Sequence, residues 1–201
     1  VHGRRLGGMV PDATLLAPIR PTDLVRADAR PQPGLPDDLR RIPSWRNTWS
    51  VAFVWIQTVG IVALAVWWGN PVGYVLAFVL MGRADAQLAS LMHEAAHRLL
   101  FSNRAVNDAV GRWLCAYPTF TSFDAYRRVH MAHHRHEFGP DEPDIPLYAD
   151  YPISEASFRR KLVRDATART GFRLFREQAR GFRSPDPRVR HTLWRILLVQ
   201  A

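Results

Sequence analysis

Cysteine and lysine are nearly absent from this chain: Cys115 and Lys161 are the only ones among its 201 residues. A single cysteine excludes an internal disulfide and suits a reducing compartment. With one lysine, the basic charge comes almost wholly from arginine, and the formal net charge is +9. The third absence is local. From position 47 to position 82, between Arg46 and Arg83, no side chain is charged and most are apolar. A basic chain of this size invites a nucleic-acid-binding reading, but so long a neutral run argues against it, and no nucleic-acid partner is expected. Arginines crowd both sides of the gap, in residues 1–46 and again in residues 159–195. That is how a membrane protein distributes its cations.

The chain begins with Val1, and residues 1–44 are rich in proline with little apolar periodicity. No apolar core follows the early arginines, so no signal peptide is expected there. The segment reads as a cytosolic, partly disordered tail, and residues 45–201 as the domain proper.

The neutral stretch is too long for one helix, because about 20 residues cross a bilayer core. Gly69-Asn70-Pro71 divides it with a turn signal. The first half, about 49–68, is flanked by Trp45 and Trp49 at one end and by Trp67 and Trp68 at the other. Tryptophans at both ends are the mark of interfacial belts. The second half, about 71–92, is interrupted by Arg83 and Asp85. Charges at that depth are expected to face protein or water and not lipid. At about 1.5 Å per residue the second helix returns to the side on which the first began. An uncharged tip and arginine-rich flanks therefore predict a hairpin with both ends in the cytosol. The fold class expected is an all-α integral membrane protein.

Five of the eight histidines fall into two compact groups. The first is His93-Glu94-Ala95-Ala96-His97, in which i and i+4 share a helix face. The second is His130-Met131-Ala132-His133-His134, in which i, i+3 and i+4 do. Thr121 to Asp124 resembles a capping box for the second helix, and Phe138-Gly139-Pro140 is expected to end it. A lone H-E-x-x-H is a weak signal, best known for zinc with the glutamate as general base. Two boxes so close, the first at the end of a membrane helix, form a stronger joint pattern. Imidazole suits Zn, Cu, Fe and Ni alike, but five histidines exceed the four ligands of a zinc site. The spare ligands point to two metals.

Beyond the boxes, Val106, Val110, Trp113 and Leu114 recur at helical spacing opposite Arg104, Asp108 and Arg112, giving an amphipathic helix over 104–117. From Ser154, Phe158, Leu162 and Val163 alternate with arginines; Gly171 is expected to stop that helix, and Phe172 to Arg180 repeats the pattern. Basic amphipathic segments favour anionic lipid headgroups.

The run Leu91 to Phe101, the second box, and Asp141-Glu142-Pro143-Asp144 together resemble the membrane fatty acid desaturase superfamily. That family has a transmembrane hairpin, an H-x(3–4)-H box, an H-x(2–3)-H-H box, a second hairpin and a further H-x(2–3)-H-H box. The resemblance covers residues 49 to about 195. It implies that His93, His97, His130, His133 and His134 are ligands of two irons that activate O₂ for C–H cleavage. It implies further that Glu94 orients an imidazole and that Asp144 or His136 lies near the ligands. An acyl-lipid substrate, a ferredoxin or cytochrome b5-type electron donor and a multi-pass location in a bacterial inner membrane also follow from it. The third box is missing, since after His136 only His191 remains. Leu193 to Val199 reads as the opening of a third membrane helix beginning about 192. The expectation is an incomplete chain, inactive by itself, whose further iron ligands lie beyond residue 201. A hydroxylase or ketolase of the same superfamily, acting on carotenoids, alkanes or sphingolipids, fits the boxes equally. A membrane zinc protease using Glu94 as base leaves the second box unexplained.

Overall fold

The computed structural model describes residues 18, 20–28, 30–33, 41–137, 141–148 and 151–200. Most of the expected tail, and the expected stop at Phe138-Gly139-Pro140, lie outside the described residues. Within the tail, Val25 and Pro31 form an isolated antiparallel bridge, and the Thr22 hydroxyl accepts from the Val25 amide at 3.1 Å. Among the described residues every extended element is helical. The chain divides into two compact units: Ile42–His130 with Glu177–Ala201, and Val1–Arg41 with Met131–Arg176.

The first unit is built on a helical hairpin. Helix α1 runs Ser44–Trp68 and α2 runs Pro71–Ala96. Gly69 ends α1 in the left-handed region at φ 58, where a side chain is disfavoured, and its amide reaches the Ala65 carbonyl at 3.1 Å. Asn70 then caps α2 by accepting from the Val72 amide at 2.8 Å, with Pro71 in the first helical position. The predicted turn is therefore both a C-cap and an N-cap. Both helices are long and apolar enough to cross a membrane, and only 17% of the most apolar window of each is buried. A core helix of a soluble protein would hide that surface; here Trp67 and Phe78 are at least 80% exposed.

Small residues let the two helices approach. A Cβ on Gly73 would come within 2.7 Å of the Trp68 ring. Arg83 does not pair with Asp85; its guanidinium donates to Gln57 Oε1 on α1 at 2.8 Å. Gln57 lies 3.5 Å from Gln87 in turn. A cation within the apolar span is thus turned onto the partner helix.

At the open end of the hairpin the chain turns on Arg98, a left-handed non-glycine residue at φ 61. Asn47 of α1 donates to the Leu100 carbonyl at 2.8 Å, and Trp55 Nε1 to the Leu114 carbonyl at 3.0 Å. A core of Val51, Met92, Ala95, Leu100, Phe101, Cys115, Ala116 and Phe123 closes this end. Burial pushes the Cys115 thiol up to about 12, so it packs as an apolar group and is unreactive. The predicted amphipathic helix over 104–117 is split: α3 (Arg104–Val110) gives way to a π-helical segment, Gly111–Ala116. Gly111 explains the join, because a Cβ there would lie 2.6 Å from that of Ala95.

Helix α4 spans Phe123–His136. Its expected capping box does not form. The Thr121 hydroxyl donates to the Thr119 carbonyl, and Asp124 is taken by Arg112 at 2.9 Å. The last helix of this unit is α8. The short α5 (Ile145–Tyr148), α6 (Glu155–Ala166) and α7 (Arg169–Arg180) precede it in the chain, and α8 itself (Pro187–Gln200) begins five residues before the predicted start. Asp186 caps α8 by accepting from the Arg188 amide at 2.8 Å. Leu193 and Ile196 pack on Tyr117, and Gln200 donates to the Tyr117 carbonyl at 2.8 Å.

In the second unit α6 is capped by Ser154, which accepts from the Ser157 amide at 3.3 Å. The predicted stop at Gly171 is not used. Thr167 turns back onto the Val163 carbonyl at 2.7 Å, Ala168 goes left-handed at φ 55, and Gly171 lies inside α7. Neither α6 nor α7 buries a residue. Phe158, Leu162, Phe172 and Phe175 are all exposed.

Candidate metal centre

The first box sits on the last turn of α2. His93 and His97 are one turn apart, so their side chains project from one face, with ring centroids 4.6 Å apart. His97 is itself the C-cap, which leaves its side chain at the mouth of the hairpin. Across from them α4 brings His130. Its ring centroid lies 4.5 Å from that of His93 and 4.8 Å from that of His97. The three imidazoles thus form a triangle contributed by two helices. Tyr126, one turn before His130, stacks on it at 5.3 Å with the rings nearly parallel.

The closest approach tests whether a metal fits. His97 Nε2 and His130 Nε2 are 2.8 Å apart. Two ring nitrogens bound at about 2.1 Å to one ion, with a right angle between them, lie roughly 3 Å apart. The nitrogens are therefore spaced as neighbouring ligands of one ion. The facing groups are imidazoles, the donor type that suits iron, zinc, copper and nickel. Glu94 stands beside the triangle with Oε1 at 3.3 Å from His93 Nδ1. A carboxylate on the outer ring nitrogen sets the tautomer and the ring direction.

The remaining box residues lie in the second unit, on the last turn of α4. His133 Nδ1 is 2.8 Å from Glu142 Oε1 and 3.5 Å from Asp144 Oδ2. The His133 ring pKa is raised, chiefly by the hydrogen bond with Glu142. Glu142 is buried, and the same oxygen accepts from the Asp144 amide at 3.0 Å. His133 thus has its Nδ1 side held by two carboxylates. The ring of His134 lies 5.3 Å from that of His133. His136 is the final residue of the helix, half-buried.

Sequence reasoning chose Asp144 from the Asp141–Asp144 run and passed over Glu142, the nearer carboxylate. A glutamate between an aspartate and a proline carries no burial signal; only the folded loop distinguishes it. Asp108 reads in the sequence only as part of the polar face over 104–117, and nothing there marks Arg127. In the fold Asp108 is hydrogen-bonded to Arg127 and held down at about 2 by it.

Comparison with known proteins gives the family. The fatty acid desaturase family profile matches residues 65–201. A dihydrorhizobitoxine desaturase of Bradyrhizobium elkanii is 37% identical over 81 residues, covering 40% of this chain and 22% of that protein. The chain therefore spans under a quarter of that relative's length in the matched region. No solved structure matches the chain significantly. With a family match over two thirds of its residues, and two histidine boxes inside that match, the chain belongs to the fatty acid desaturase family.

Proposed function

We propose that this chain carries the first two histidine boxes of an O₂-dependent, di-iron acyl-lipid desaturase embedded in a bacterial inner membrane. His93, His97, His130, His133 and His134 are its metal ligands. Glu94, Glu142 and Asp144 orient imidazoles from behind, as outer carboxylates do. The observation that carries this reading is the triangle of His93, His97 and His130 at the open end of an apolar hairpin, with ring nitrogens as close as 2.8 Å. The desaturase family match supports it independently.

Iron held by these histidines would activate O₂, the oxidant, for removal of hydrogen from an unactivated C–H bond. The residues here perform the remaining tasks. An imidazole binds metal through its neutral form, so a protonated ring gives up its proton on binding. Glu94 and Glu142 stand at the Nδ1 atoms of His93 and His133 and fix the ring directions. The hairpin brings the site to the edge of an apolar phase, where a lipid chain is already dissolved. Electrons come from a ferredoxin or cytochrome b5-type donor.

Membrane insertion is supported by the exposed apolar faces of α1 and α2 and by the placement of arginine. Helices α6 and α7 fit the same setting. Arg169, Arg173, Arg176 and Arg180 recur every third or fourth residue along one side of α7, with Phe172 and Phe175 on the flank. Such a helix lies in the headgroup layer, apolar side down and guanidinium groups among lipid phosphates. A reporter fused at Asn70 is expected to read as external, and one fused near Arg104 as cytosolic. The reverse pattern overturns the orientation.

The activity is tested by expressing the full-length gene that encodes these residues, with an electron donor, and analysing host lipids by gas chromatography with mass spectrometry. A new unsaturated acyl species that disappears with His97→Ala is the expected result. A hydroxylated or keto product instead assigns the chemistry to the sister branch of the superfamily, and no oxidised lipid at all contradicts the proposal.

A further inference from the structure

We propose that Arg127, Asp108 and Asn107 form a clasp that sets the two box helices at metal-binding distance, with Arg127 a positioning residue for the centre. The proposal rests on the metal-centre reading above.

The clasp closes on one carbonyl. Ala95 lies between His93 and His97, in the last turn of α2, where the regular helical donors run out, and its oxygen takes the Arg98 amide at 3.0 Å as the chain turns away. The same oxygen accepts from Asn107 Nδ2 at 2.9 Å and from Arg127 Nη2 at 2.8 Å. Arg127 stands on α4 one turn before His130, so the second bond ties the two boxes almost directly. The other side of the guanidinium is held as a fork by Asp108, with Nη2 at 2.6 Å from Oδ1 and Nη1 at 3.1 Å from Oδ2. The Phe123 ring supports it from below, 4.4 Å from Cζ. Asn107 is fully buried and also accepts from the Leu100 and Phe101 amides at 3.2 Å. The clasp therefore also fixes the turn that leaves the first box.

The geometry calls for arginine in particular. One planar group must meet a carboxylate through two donors and reach a carbonyl as well; a lysine ammonium, a point charge, holds no such fixed plane. A surface ion pair with no further role would not converge on the backbone of the first box. The Arg112–Asp124 pair, at 2.9 Å, makes the useful contrast. It joins the π-helical segment to the same helix α4 with no bond to Ala95.

The test is Co(II) binding to the detergent-purified protein, followed by its visible d–d absorption, alongside thermal unfolding of the metal-free form. Arg127→Lys and Asp108→Asn are compared with Arg112→Lys. The clasp predicts a Co(II) affinity lower by about 10–100-fold for both, the cost typical of losing an outer partner of a metal site. Their Co(II) spectra are expected to be altered, while Arg112→Lys keeps the wild-type affinity and spectrum. If the clasp variants unfold earlier but bind Co(II) with wild-type affinity and spectrum, the residues are only structural and the proposal fails. If the wild-type protein binds no Co(II), the metal-centre reading itself fails, and the clasp fails with it.

Discussion

Replacing His97 by alanine is expected to lower iron affinity by more than about 100-fold, beyond the usual cost of losing an outer-shell partner. His97 makes the nitrogen-to-nitrogen contact of 2.8 Å that joins the two boxes. Its ring is 4.6 Å from that of His93. Its removal leaves His93 and His130 facing each other with their shared neighbour in the triangle missing. The backbone should tolerate the change, because His97 is the C-cap of α2 and its amide bond to the His93 carbonyl, at 3.2 Å, does not need the ring. Iron titration with circular dichroism on the same sample separates the two effects. His191→Ala, on α8 and outside both boxes, is the control and should bind as the wild type does. Equal iron binding by His97→Ala and the control would remove His97 from the ligand set.

The second large effect is one of packing. Gly111→Ala should destabilise the fold even though alanine is the better helix former. Gly111 is already in right-handed helical geometry, at φ −58 and ψ −38. Propensity alone therefore favours alanine by about 1 kcal/mol. Against this, the new methyl would sit 2.6 Å from Ala95 Cβ and 2.9 Å from two ring atoms of Phe123. Ala95 and Phe123 are completely buried, so neither has free space to retreat into. Overpacking of this kind costs about 1–3 kcal/mol, and with three contacts this short the upper part of that range applies. The steric term wins. The displaced backbone is that of Ala95, between the two histidines of the first box, so metal affinity should fall along with the melting temperature. Gly60→Ala is a fair comparison: its Cβ would meet nothing within 4 Å, and it should raise stability slightly or leave it unchanged. A melting temperature for Gly111→Ala at or above that of the wild type would show that the core can open at this point.

The parts of this fold that could be read in the sequence are those that local chemistry decides. The hairpin follows from the missing charges between Arg46 and Arg83 and from Gly69-Asn70-Pro71, whose three residues act within a few positions of themselves. The first box is likewise local, since one turn of helix suffices to pair His93 with His97. What stayed hidden depends on partners far along the chain. Thr121 and Asp124 have the spacing of a capping box, yet Arg112 offers Asp124 a cation, and an ion pair displaces the weaker cap. Gly171 is a plausible stop, but Thr167 ends the helix first by bonding backwards to Val163. The π-helical segment arises because Gly111 must meet Ala95 closely, a demand set by packing and invisible to periodicity. Glu142 and Arg127 were missed for the same reason: a charged residue in a sequence gives no sign of being folded against a histidine or a helix end.

The most direct test of the account is the metal content of the purified protein, measured by inductively coupled plasma mass spectrometry after expression in medium holding both iron and zinc. The account predicts iron well above zinc, with iron lost in His97→Ala and in His133→Ala, one variant from each box. Stoichiometric zinc with iron at background, unaffected by His133→Ala, would contradict it and leave the first box as a zinc site.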